Sequence, residues 1–143
     1  MKFSELTPDQ WGELQPYLDT AVLPVTGLTG NEAPYQATEA LEKLRDVLDL
    51  IEKPFKGRIV TYPTCNYGAW NTETAQQVAS VCRNLKQTAG FKHVVVAAAF
   101  SEPSLMKTEE ADLFVGPDSN GVLPAAEEVS VAVRHLWMGQ RTS

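Results

Sequence analysis

Residues 93–100 read HVVVAAAF, seven apolar residues in a row after His93. A strand with one face in water alternates apolar and polar side chains. A continuous apolar run belongs to a strand covered on both faces, as in a mostly parallel sheet flanked by helices. The segment just before it fits this placement. The stripe Ala75, Val78, Ala79, Cys82 and Leu85 predicts a helix over about 72–89, capped by Asn71 or Thr72. Gly90 suits a left-handed C-terminal position, with Phe91 folding back on Leu85.

Working further outward, the alternation of strands and helices continues. RIVTY, residues 58–62, reads as a modest strand, and Pro63 to Trp70 as a loop. Ahead of it, Ala37, Ala40, Leu41, Leu44, Val47, Leu48 and Ile51 form one helical stripe over about 35–52, stopped by Pro54 and Gly57. DTAVLPV, residues 19–25, reads as the first strand, with Pro24 near its end or on a sheet edge because proline lacks a ladder donor. Thr7 and Gln10 have capping-box spacing around Pro8, which predicts a short helix over 8–15 with Leu6 and Trp11 as its staple. After residue 100, Ser101 to Glu110 reads as a short crossover with Pro103 in its first turn, and Asp112 to Val115 as a fourth strand. Pro124 to Met138 reads as a last helix, with Ala126, Val129, Ala132, Val133, Leu136 and Trp137 facing inward.

The expectation is one α/β domain over 1–143: a three-layer α/β/α sandwich with a mostly parallel four-stranded sheet, order 2-1-3-4 and right-handed crossovers, of Rossmann or flavodoxin-like character. The crossover before the fourth strand is near the minimum for a parallel connection, and a shorter one would turn that strand antiparallel.

With 143 residues the chain can bury a core unaided. Twelve Lys and Arg against eighteen Asp and Glu give a net charge of -6. Lys53, Lys56 and Arg58 are the densest basic group, and Glu52 sits beside them, so nucleic acid is not an expected partner. No apolar run approaches the length of a membrane span. Two cysteines, Cys65 and Cys82, are too few for a disulfide framework, and residues 1–5 lack a signal-peptide core. A reducing cytoplasm with two free thiols is the expectation.

In an open parallel sheet, ligands gather outside the carboxyl ends of the strands. Four loops meet there: 26–34, 63–71, 101–104 and 116–123. The first holds Thr26, Gly27, Thr29, Gly30 and Asn31 before a helix, where backbone N–H groups can hold phosphate. Its spacing is neither G-x-G-x-x-G nor a P-loop, and Glu32 opposes an anion, so a mobile loop is the commoner reading. The second holds Cys65, Asn66, Tyr67 and Trp70. Cys65 lies several residues before its helix and no His sits in a carboxyl-end loop to activate it, which favours a structural or merely exposed thiol over a nucleophile. In the fourth loop, Asp118, Ser119 and Asn120 can position a sugar or a cation, yet they are also ordinary turn chemistry. Glu102 is the other carboxylate at this edge, and Glu102 with Asp118 is an acid–base pair only if the loops bring them together. The ligand-binding candidates are therefore Thr26, Asn66, Tyr67 and Asp118, and the catalytic ones Cys65, Glu102 and Asp118. Cys82 reads as core, His93 as a rim residue, and His135 as a helix-dipole partner. No motif for a metal, a serine hydrolase or a named cofactor is legible.

Three segments carry a family likeness: Tyr17-Leu18-Asp19-Thr20-Ala21 leading to Leu23-Pro24, then Phe55-Lys56-Gly57-Arg58, then Gly90-Phe91-Lys92-His93. In order and spacing the chain resembles the YpiF-like proteins, a small bacterial group defined by a domain of unknown function. The resemblance spans most of the first two-thirds of the chain. It implies a cytosolic protein and transfers no activity, cofactor or catalytic residue. In the expected topology these segments put Asp19, Thr20, Arg58, Lys92 and His93 at the amino ends of the strands. An Asp19–Arg58 or Asp19–His93 pair would close the bottom of the sheet, either as plain rim salt bridges or as a partner-docking face.

Two functions follow. A non-catalytic regulatory or adaptor domain, binding a protein partner or a small ligand, is slightly favoured because no catalytic constellation is legible. The alternative is an enzyme, or enzyme-derived binder, of a nucleotide- or sugar-like metabolite at the carboxyl-end loops. The acidic last helix and its Trp137-Met138 end could also serve a homodimer, with core packing the commoner use.

Overall fold

A computed structural model describes residues 2–67, 71–101 and 110–138, and for Cys65, Asn66, Tyr67 and Thr72 the backbone alone. A 3-10 turn at Phe3–Glu5 leads into α1 (Pro8–Leu14) and β1 (Thr20–Leu28). There follow α2 (Pro34–Phe55), β2 (Ile59–Thr61), β3 (Cys65–Tyr67), α3 (Thr72–Gln87), β4 (His93–Ala98), β5 (Leu113–Val115) and α4 (Ala126–Trp137).

The sheet runs β2-β1-β4-β5, with β3 also on β1, and every pairing is parallel. The four expected strands stand in the expected order, and the fourth is parallel, not antiparallel. The apolar run is interior: β4 aligns Thr20↔His93 through Val25↔Ala98 on one side and Val95↔Leu113 through Ala97↔Val115 on the other.

Side chains alternate between two cores. Ala21, Leu23, Val25, Val60, Val94, Val96 and Ala98 pack with Val78, Cys82 and Leu85 of α3, and Leu6, Trp11 and Leu14 close that side. Val22, Ile59, Val95, Ala97 and Val115 pack against Val47 and Ile51 of α2 and Val129, Val133 and Leu136 of α4. The result is the three-layer α/β/α sandwich, with β1 and β4 covered on both faces. Cys82 is fully buried in the α3-side core.

The caps are those the sequence predicts. Thr7 Oγ1 accepts from Gln10 N while Gln10 Oε1 accepts from Thr7 N. Asn71 Oδ1 accepts from Thr74 N at 2.9 Å. Gly90 has φ +89, and Phe91 N donates to Leu85 O.

Four expectations need correction. Pro24 lies in the middle of an interior strand, not near an end or on an edge. Thr20 N donates to Arg58 O and Val22 O accepts from Tyr62 N, so even-numbered residues of β1 face β2. Pro24 falls on that side, just past the last β1–β2 partner pair, Val22↔Thr61, and before the β3 pairing starts at Val25↔Cys65. Its missing donor therefore sits in the gap between two short neighbours. Secondly, the 63–70 stretch contains β3, and β1 extends to Leu28, which pairs with Tyr67 of β3 across a register shift after Val25↔Cys65. Thirdly, α2 runs to Phe55 with Pro54 inside its last turn. Lastly, Leu41 and Ala126 face solvent, one beyond the width of its stripe and the other at a helix start.

Candidate functional site

The carboxyl edge of the sheet is where the connecting loops gather, and each described loop has a definite internal arrangement. At the end of β1, Thr26 is buried, and its Oγ1 accepts from Leu28 N at 3.2 Å. Gly27 takes φ +75, and a Cβ there would stand 2.6 Å from the Phe100 ring, so only glycine admits this contact between β1 and the end of β4.

The following turn answers the question of a phosphate cradle. Thr29 N donates to both oxygens of the Glu32 carboxylate, at 3.1 and 3.0 Å, and Gly30 N donates at 2.9 Å. The Thr29 hydroxyl adds a bond at 3.0 Å. Those backbone N–H groups are the ones an anion would use, and the chain's own acid occupies them. They hold the Glu32 carboxyl below its ordinary pKa, with the Thr29 amide the main cause.

The backbone of Cys65–Tyr67 runs beside this turn, with Val25↔Cys65 and Leu28↔Tyr67 as partners. The topology thus brings the Thr26 and Cys65–Tyr67 candidates to one corner of the edge. Glu102 lies outside the described residues, as do Pro103 and the rest of the crossover at 102–109.

Asp118 sits across the sheet beyond β5. Its Oδ1 accepts from Asn120 N and Val122 N, both at 2.9 Å, while Gly121 N donates to Asp118 O. This is the turn chemistry of the sequence, and it holds the carboxylate in place. Lys43 of α2 reaches Gly121 O at 3.4 Å and ties the loop to the α2/α4 layer. Between β5 and α4 the loop borders a cleft of about 390 Å³. Phe114, Val115, Val129 and Ala132 line it with apolar surface, and Asp118 and Glu128 bring carboxylates to it.

At the opposite, amino edge the structure builds a closed polar network. Arg58 Nε and Nη2 donate to the two Asp19 oxygens at 3.0 and 3.1 Å. The Trp137 indole donates to Thr20 Oγ1 at 2.7 Å, and Thr20 donates onward to Asp19 Oδ1 at 3.0 Å. The Arg58 guanidinium lies 4.1 Å over the Trp137 ring, which closes the circuit. Burial pushes the Asp19 carboxyl up. The Arg58 and Thr20 hydrogen bonds and the charges of Arg58 and His93 outweigh it and hold Asp19 below its ordinary value. The expected Asp19–Arg58 pair is present, and His93 stands close enough to act on the same carboxylate.

Sequence reasoning missed two parts of this edge. For Trp137 the sequence suggests core packing or a homodimer contact, not this hydrogen bond, because nothing local shows that α4 ends over β1 and β2. Asp112, with a side chain 3% exposed, binds Lys86 Nζ at 2.9 Å and accepts from Val94 N at 2.8 Å, clamping β4, β5 and α3 together. Its one local signal is an acid placed just before a strand.

Among the described residues no three His, Cys, Asp or Glu side chains converge as a metal site, and no helix is long and apolar enough to cross a membrane. No curated protein and no solved structure matches the chain. A family model, "Protein of unknown function (DUF2487)", matches residues 9–117. That span runs from α1 to the end of β5 and takes in Asp19, Arg58 and the Glu32 turn; the chain belongs to this family of unknown function.

Proposed function

We propose that the chain is a non-catalytic regulatory or adaptor domain. Its cleft between β5 and α4 takes a partner segment or small ligand with a cationic group on an apolar body. The observation that carries this reading is the Glu32 carboxylate seated on the Thr29 and Gly30 amides. With that position filled by an acid, a phosphate arriving at the β1–α2 turn meets repulsion where the fold would otherwise attract it. The cleft supports the reading from the other side. An amine or guanidinium there gains charge-assisted hydrogen bonds from Asp118 or Glu128 while its apolar body covers Phe114 and Val129. A cytoplasmic setting and the closer likeness to the bacterial YpiF-like group belong to the same proposal.

The alternative is an enzyme, or enzyme-derived binder, of a nucleotide- or sugar-like metabolite, using Thr26, Asn66, Tyr67 and Asp118 with Cys65 and Glu102. The register that sets Cys65–Tyr67 beside the end of β1 supports it.

A thermal-shift library divided by charge separates the two. Cationic apolar compounds are expected to raise the melting temperature, and Glu128→Gln with Asp118→Asn to reduce that rise. Nucleotides and phosphosugars are expected to leave it unmoved. A nucleotide hit lost in Asn66→Ala and kept in Asp19→Ala would establish the metabolite reading instead.

A further inference from the structure

The outer face of α4 carries a pattern that the cores leave unused, sharing Glu128 with the ligand cleft and with Arg134 also lying 6.0 Å over the Phe55 ring. Val129, Val133 and Leu136 turn into the core. On the opposite side, at helical spacing, lie Glu127, Glu128, Val131, Arg134, His135 and Met138. All six are exposed, Val131 by 42% and Met138 by 68%. Around Val131 the surface is concave, a shallow depression of about 530 Å³ bordered by Ala125, Glu127, Ala132 and His135. The acids stand in the first turn and the bases in the last.

We propose that a second copy of this chain docks here, helix against antiparallel helix, about a two-fold axis at Val131. Under that symmetry a residue a given number of places before Val131 faces the residue equally far after it on the other copy. Glu127 then faces His135, Glu128 faces Arg134, and the two Val131 side chains meet on the axis. Glu128 of one copy meets the opposite charge of Arg134 on the other, and Glu127 meets the His135 imidazole as a hydrogen-bond partner. The same face laid parallel would bring like charges together, so the pattern selects one orientation. Charge complementarity identifies the occupant as this chain: although two molecules that each carry -6 repel at long range, this face presents its acids in the first turn and its bases in the last, in self-matching order.

One helix crossing buries well under the roughly 1,600 Å² of a standard interface, so the dimer is weak, with a dissociation constant of about 0.1–1 mM. The proposal uses α4's outer side chains and does not depend on what fills the ligand cleft, although Glu128 borders both.

Sedimentation velocity on the full chain, from about 10 µM to 1 mM around that dissociation constant, tests it. The wild type should show a concentration-dependent mass rising toward the dimer. Glu127→Lys with Glu128→Lys, and separately Arg134→Glu with His135→Glu, should each weaken self-association at least ten-fold. An equimolar mixture of the two variants should restore it, since each now complements the other. Val131→Asp, on a side chain outside the core, should abolish association with an unchanged far-UV circular dichroism spectrum. A wild type that is monomeric throughout, or a dimer that survives Val131→Asp or either charge variant, or a mixture that fails to associate, would overturn the proposal.

Discussion

At the scale of single residues, Asp19 illustrates how a surface-edge acid becomes structural. Its side chain is 14% exposed, and both oxygens are engaged by Arg58, with the Thr20 hydroxyl sharing one of them. Hydrogen bonds to a charged group contribute about 1.5–3 kcal/mol, discounted here because Arg58 is half open to water. Asp19→Asn should therefore cost about 1–2 kcal/mol at neutral pH, a fall of roughly 3–8 °C in melting temperature. The pH dependence has a definite sign. The folded carboxyl titrates below the unfolded one, so its contribution is complete above the unfolded value of about 3.9 and fades as pH falls through the lower folded value. Denaturation followed between pH 7 and pH 2 should show a shallower acid limb in Asp19→Asn than in the wild type. Equal limbs would mean that Arg58 stabilises nothing. Gly27 gives a second prediction at this scale. Its positive φ and the Phe100 ring 2.6 Å from a hypothetical Cβ both oppose a side chain. Gly27→Ala should destabilise by about 2–3 kcal/mol in urea denaturation, and a neutral result would show that the ring moves aside freely.

At the scale of elements, helix ends and buried stripes govern stability. Asn71 caps α3 through its side chain, and Asn71→Ala should cost about 1 kcal/mol, checked by the midpoint of chemical denaturation. Ile51 is fully buried between α2 and the sheet, so Ile51→Ala should cost about 2–5 kcal/mol by the same measurement. A change under about 1 kcal/mol would mean that the α2 layer is loosely held. These elements were legible in the sequence because their signals are local: the capping box at Thr7, the Asn71 cap, the Gly90 stop and the continuous run at residues 93–100. Pro24 and β3 were not, for one shared reason. Whether a strand tolerates proline depends on which neighbour its missing donor faces, and that is a property of register, not of composition. A three-residue strand beside Pro63 carries no periodicity to read, and only its partner on β1 makes it a strand. The candidate site divides in the same way. The Glu32 opposition and the Asp118 turn follow from neighbours in sequence, whereas the contacts of Trp137 with Thr20 and Arg58 bring together residues about eighty or more positions apart.

At the scale of the whole molecule, the two edges of the sheet are built to opposite ends. The amino edge is closed by Asp19, Thr20, Arg58 and Trp137, which tie β1, β2 and α4 together. The carboxyl edge has its anion position filled by Glu32 and keeps an apolar cleft with carboxylates beside it. A net charge of -6 draws cations and repels anions at a distance. Raising salt should weaken the attraction of a cationic ligand and leave the apolar contribution in place.

The proposed function has the carboxyl edge accept a cation on an apolar body and refuse a phosphate. It is tested most directly by parallel nuclear magnetic resonance titrations of the ¹⁵N-labelled chain with phenethylamine and with ATP. Phenethylamine, with a dissociation constant on the order of 1 mM, should shift the amides of Val115, Gly116, Asp118, Val129 and Ala132, and ATP should leave Thr29, Gly30 and Asn31 unmoved. ATP-dependent shifts at Thr29–Asn31, or no response around the β5–α4 cleft to the amine, would contradict it.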